Sequence, residues 1–213
     1  MYVKRYRHVY LLIVFLICFV GLSLSYHTAC IEKFDDVISK FIQSFRNEYL
    51  TAYFTWMSYI GSKKIYFPLL IIVVMYFLIR KKLLGALFLI VNYYGSRYLN
   101  NLLKLWYERP RPDVSQLVTA TGYSFPSGHS MNATAFLGFI AYVTITEHRI
   151  TLHRKLLIIL ITCFVIFSIS VSRVYLGVHY PSDILAGWAA GGSWLILCIM
   201  FHQTFIKKEP MSS

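Results

Sequence analysis

Apolar residues fall in long runs along this chain, separated by short polar stretches. Runs at 9–25, 62–80, 83–103, 129–146, 155–175 and 183–203 reach or approach the length of a helix that crosses a bilayer. The second is the least regular, its clean stretch running from Ile65 to Ile79 and containing Pro68, and an earlier start or continuation of a helix from the preceding segment is also open. Between the first two runs the pattern changes. Ile31, Phe34, Val37, Ile38, Phe41, Ile42, Phe45 and Tyr49 recur at helical spacing with polar residues opposite. This predicts an amphipathic helix, either lying in the membrane interface or packed on the bundle, with Tyr49, Tyr53 and Trp56 as an aromatic belt at its end. The expected fold class is all-α. It is a six-span transmembrane helical bundle with an amphipathic interfacial helix between spans one and two, residues 1–213 forming a single integral-membrane domain.

Composition agrees with the pattern: 57% of the 213 residues are hydrophobic and only 14% are charged, where a soluble domain carries about a quarter. The net charge of +12 sits between apolar runs rather than in a basic arm, so a nucleic-acid partner is not expected. With six spans, the N-terminus, the 80–82 turn, the 147–155 loop and the tail share one side. That side holds eleven lysines and arginines against two acids, and the other side holds ten against seven. The more basic side is expected to be cytoplasmic, with both termini on it. The basic start followed by Val9–Leu24 has no small-residue cleavage site after it, and is expected to be an uncleaved first span. The tail from Lys207 onward is expected to be disordered. Cys18, Cys30, Cys163 and Cys198 have neither metal-ligand nor disulfide-framework spacing. No metal, no cofactor and no obligate protein partner is expected.

Three clusters carry the candidate chemistry: Lys104 with Arg111-Pro112, Pro126-Ser127-Gly128-His129, and Ser172-Arg173 followed by His179 and Asp183. The charge-based topology puts all three on the extracytoplasmic face. Charge beside a membrane is costly, so three cations gathered there call for a shared anion, and phosphate fits. Lys104, Arg111 and Arg173 match its charge, and Ser127 and Gly128 open a helix whose first amides favour anions. Two histidines suggest reaction rather than capture. His179 is a candidate nucleophile on phosphorus, with Asp183 accepting its other ring N–H. His129 is a candidate proton donor to the leaving oxygen and later a base for water. Pro181 suits the first turn of the last span. Arg97, Asn101 and Lys104 share a helix face, and Arg97 either orients the phosphate loop or packs. Gly187 and Gly191 form a small-xxx-small pair suited to close helix packing.

The ordered pattern Lys-x6-Arg-Pro, Pro-Ser-Gly-His, Ser-Arg-x5-His-x3-Asp resembles the signature of the type 2 phosphatidic acid phosphatase superfamily, with no departure in spacing. The resemblance is greatest to its bacterial phosphatidylglycerophosphate phosphatase B and undecaprenyl pyrophosphate phosphatase groups. It implies a lipid phosphate or pyrophosphate substrate, a phosphohistidine at His179 and no metal. Catalytic residues are then His179, His129 and Asp183, and substrate-binding residues Lys104, Arg111, Ser127, Gly128 and Arg173. Phosphatidylglycerol phosphate, undecaprenyl pyrophosphate and phosphatidic acid all present the same head to such a site. Two other readings remain at this point: a lipid phosphotransferase, and a non-enzymatic anion transporter.

Overall fold

The computed structural model describes residues 2–113, 116–147 and 150–206. Arg149 and the 207–213 tail, both used in the charge argument, lie outside the described residues. Among the described residues there are eight helices: α1 (Tyr2–Ser25), α2 (Ala29–Ser44), α3 (Glu48–Ile60), α4 (Lys63–Ile79), α5 (Leu83–Tyr107), α6 (Gly128–Glu147), α7 (Leu152–Tyr175) and α8 (Pro181–Ile206). Helices are the form in which an apolar environment leaves no backbone group unpaired.

α1, α7 and α8 are each long and apolar enough to cross a membrane, and the pair α3–α4, bent by 47° at its break, would make a fourth span. α5 and α6 owe their lower hydropathy to polar residues turned inward. Ser96 of α5 donates to the Asn132 amide oxygen of α6 at 2.7 Å, both residues being buried.

The expected amphipathic segment is two helices, not one. α2 ends at Ser44, and Asn47 starts α3 by accepting from the Leu50 amide at 2.9 Å. Tyr49, Tyr53 and Trp56 therefore lie on α3 rather than at the end of the amphipathic helix. Apolar periodicity continues across the break, which hides the cap. α2 has an unusual burial pattern: its one buried residue is Asp35, while Val37, Phe41 and Phe45 are exposed. α5 runs past the expected end at 103 to Tyr107, where Glu108 takes a left-handed conformation (φ 45°) and Pro110 and Pro112 prevent continuation. Lys104 is thus in the last helical turn, not in the loop after it.

The core lies where α4, α5, α6 and α7 meet, around Tyr66, Leu89, Phe136, Phe139 and Ile169. α8 packs on α6 closely enough that no side chain fits between them at two positions. A Cβ on Gly187 would come within 2.8 Å of the Ser127 carbonyl, and one on Gly191 within 2.5 Å of the Met131 carbonyl. Backbone cannot yield as a side-chain tip can, so these glycines set the distance between the two helices.

Candidate active site

The site is assembled from one end of the bundle: the last turn of α5, the 108–127 connection, the first turn of α6, the last turn of α7 and the 176–180 turn into α8. The 176–180 turn is tied back on α7, the amides of Val178 and His179 both donating to the Arg173 carbonyl (3.0 and 3.3 Å). α8 then starts at Pro181, and Asp183 enters its first turn four residues after His179. The phosphate-loop candidate is fixed to the same place, since the Ser127 amide donates to the Asp183 carbonyl at 3.0 Å.

His179 is buried and its two ring nitrogens have different company. Nδ1 lies 3.2 Å from Asp183 Oδ2, and Nε2 lies 3.2 Å from Arg111 Nη1. A guanidinium has no lone pair to offer, so Nε2 is the acceptor and Nδ1 carries the proton donated to Asp183. Asp183 Oδ2 also accepts from the Tyr180 amide at 3.0 Å. Burial, and then the charges of Lys104, Arg111, Arg173 and Arg109, hold the His179 imidazole well below its ordinary value, so it is neutral at pH 7.

The three cations all lie near enough to His179 to act on its charge. Lys104 donates to the carbonyls of Tyr123 and Ser124. Arg111 donates through Nε to Gly122 O (2.9 Å), through Nη1 to Val178 O (2.7 Å) and through Nη2 to Thr121 O (3.0 Å), which fixes its plane beside the nucleophile candidate. Arg173 is buried, donates through Nη1 to Ser58 Oγ, and has no partner for its Nε among the described residues.

His129 stands at the start of α6 with Nε2 3.2 Å from the Ser58 carbonyl. A carbonyl only accepts, so this neutral ring carries its proton at Nε2 and a lone pair at Nδ1. Ser127 does not offer its amide outward, because that amide is bound to Asp183; the first-turn amides of Gly128 and His129 are the ones able to face an anion. A Cβ on Gly128 would lie 2.7 Å from Asn100 Oδ1, so any larger residue there would displace the Asn100 side chain. Asn100, whose amide donates to Pro126 O at 3.2 Å, braces the loop; Arg97 instead lies over the Tyr93 ring, 5.6 Å from its centroid. Every site residue named from the sequence is therefore drawn to this end of the bundle.

Three residues at the site were not legible in the sequence. Ser58 touches both Arg173 and His129 from the last turn of α3. Arg109 and Asp35 form a buried ion pair (2.8 Å), and Arg109 also pairs with Asp183 at 2.7 Å. The doubled Arg-Pro of Arg109-Pro110-Arg111-Pro112 was the available hint for Arg109. Asp35 had none, being one acid on the polar side of an amphipathic helix.

The profile of the PAP2 superfamily matches residues 83–207. Phosphatidylglycerophosphatase B of Bacillus subtilis is 33% identical over 186 residues, which is 87% of this chain and 90% of that protein. Among solved structures, the first transmembrane PAP2 type phosphatidylglycerolphosphate phosphatase from Bacillus subtilis superposes with a TM-score of 0.85 at 30% identity, over 96% of this chain and 100% of that one. LpxE of Aquifex aeolicus superposes with a TM-score of 0.59 at 29% identity, over 78% of this chain and 93% of that one.

Proposed function

The chain belongs to the PAP2 superfamily and is a membrane-embedded lipid phosphate phosphatase, and on that premise we propose that it works through a phosphohistidine at His179, without a metal. The observation that carries this reading is the polarity of the His179 ring. Its proton is held on the Asp183 side and its lone pair is turned to Arg111, the side on which an anion would sit.

In the first step Nε2 attacks phosphorus and the bond from phosphorus to the lipid oxygen breaks. His129 takes up a proton at Nδ1 as the anionic head enters and delivers it to that leaving oxygen, returning to the neutral ring with Nε2–H on the Ser58 carbonyl. The imidazole becomes a phosphorylated cation, and Asp183 offsets its charge through Nδ1–H. In the second step His129 takes a proton from water, whose oxygen attacks phosphorus and releases His179 and inorganic phosphate. Lys104, Arg111, Arg173 and the opening amides of α6 bind the phosphoryl oxygens and stabilise the extra charge of each transition state. Three fixed cations fill the electrostatic role that a divalent metal plays elsewhere.

We favour six spans, α1, α3–α4, α5, α6, α7 and α8, with α2 at the interface and residues 1–213 as one domain; the loop charges of the sequence support an extracytoplasmic site in that arrangement. A lipid head reaches such a site while its tail stays in the bilayer. Phosphatidylglycerol phosphate and undecaprenyl pyrophosphate are the substrates we favour, with phosphatidic acid accepted. The purified protein, in excess chelator, is expected to release phosphate from this panel. It should favour long-chain lipids over p-nitrophenyl phosphate by at least about tenfold in kcat/KM, roughly 1.4 kcal/mol of transition-state binding. Loss of activity in chelator with rescue by magnesium would overturn the metal-free mechanism. Equal efficiency on the soluble ester would remove the lipid tail from the account.

A further inference from the structure

α2 is joined to the reaction site by a continuous chain of buried polar contacts. Asp35, 2% exposed, is the helix's one buried residue. Its Oδ1 accepts from the Ser182 amide at 2.8 Å, and its Oδ2 accepts from Ser182 Oγ at 2.6 Å and from Arg109 Nη2 at 2.8 Å. Arg109 extends its other terminal nitrogen to Asp183 Oδ1 at 2.7 Å and to Ser182 Oγ at 2.8 Å. Asp183 then accepts from His179 through its second oxygen. The guanidinium plane is held by two rings, 4.1 Å from the Tyr180 centroid and 5.2 Å from that of Tyr26.

We infer that Asp35 and Arg109 are positioning residues for the His179–Asp183 pair, and that the amphipathic helix α2 is a working part of the nucleophile. The argument is one of charge as well as geometry. Arg109 alone would neutralise Asp183 and leave it little attraction for a developing imidazolium. Asp35 shares that guanidinium, so two carboxylates and one cation carry a net −1, and Asp183 keeps a negative charge to turn toward His179. The shared fork also fixes which Asp183 oxygen faces the ring, since the other is committed to Arg109. Burial lowers the Arg109 guanidinium and the two carboxylates more than reverse it, so its charge is permanent. A merely structural anchor for α2 would not need to end on the carboxylate that orients the nucleophile.

This inference rests on the reading of His179 as nucleophile, and the test separates the two. Full-length Asp35→Asn, Arg109→Lys and parent protein are compared on one lipid phosphate, with kcat and KM normalised to folded enzyme and the melting temperature recorded. Asp35→Asn keeps the shape and removes the charge. Arg109→Lys keeps the charge but loses the fork and the stacking. Each is expected to lower kcat by at least about tenfold while KM stays within about twofold, the size of loss usual for residues that orient a reactive group from behind. Parental kcat in either folded variant overturns the inference and leaves the phosphatase reading intact. A rise in KM with kcat unchanged also overturns it, as the pair would then act on substrate binding. If Asp35→Asn fails to fold, Arg109→Lys decides alone. A parent that released no phosphate would bring down the reading and the inference together.

Discussion

Two histidines are buried almost equally at opposite ends of the bundle, His179 with 3% of its surface exposed and His202 with 1%. His202 sits in an aromatic nest, edge-on to Phe88 and Phe139, with Nδ1 3.2 Å from the Tyr142 hydroxyl and no partner for Nε2 among the described residues. His179 has a carboxylate on one nitrogen and a guanidinium on the other, with Lys104 and Arg173 close by. Burial is common to both, so burial does not make a histidine reactive. What distinguishes the site end is a fixed tautomer and a set of cations around the ring, one of them on its lone pair. The far end holds a packed ring that fills volume.

The sharpest way to break this contrast is to remove each ring in turn. His179→Ala should lower phosphate release by roughly 10⁴-fold or more, as expected for loss of a nucleophile that acts as one unit with its partners. A near-parental rate in the folded variant would end the assignment. The two ends should also differ in the compartment they face. In a cysteine-free background, Gln116→Cys beside the site and Thr151→Cys at the start of α7 should label from opposite sides of intact cells. Labelling of position 116 only from the cytoplasm would reverse the proposed orientation.

A smaller effect concerns pH. Because the folded His179 is held well below 6.5, its protonation should not limit the rate until well under that pH. Below its folded value the rate should then fall by about tenfold per pH unit. The same depression has a sign for stability. As pH drops below about 6.5, the unfolded chain takes up a proton at this position that the folded chain refuses, so stability is lost toward acid. A His179→Asn variant should lose less stability than the parent between pH 7 and pH 5, measured by thermal melting at each pH; equal slopes would contradict the shift. The smallest effect is expected at the far end. His202→Phe should change the melting temperature yet leave kcat within about twofold of the parent. A large kcat loss there would mean the two ends are coupled.

Lys104, Arg111, His129, Arg173, His179 and Asp183 were legible in the sequence because their spacing is carried by single helical turns and short loops, where distance along the chain translates into distance in space. The helical class was legible because apolar runs of that length have few alternatives. The break at 45–47 was not, since a helix cap is one polar side chain in a continuing apolar rhythm. Ser58, Asp35 and Arg109 were hidden for a different reason. Their contacts with Arg173, Ser182 and Asp183 span 73 to 147 positions of chain, and no local pattern encodes such pairings. For Arg97 the sequence left open a brace for the phosphate loop or a packing role; it lies over the Tyr93 ring, and Asn100, three residues on, holds the loop.

The glycine seam between α6 and α8 has an evolutionary consequence. Gly187 and Gly191 press α8 against backbone atoms of Ser127 and Met131, so the element bearing His129 and the element bearing Asp183 have one permitted separation. Heritable change is therefore cheap in some places and forbidden in others. The exposed apolar residues of α1, α3 and α7 can exchange one apolar side chain for another at little cost, while any side chain at the two seam positions would force the helices apart.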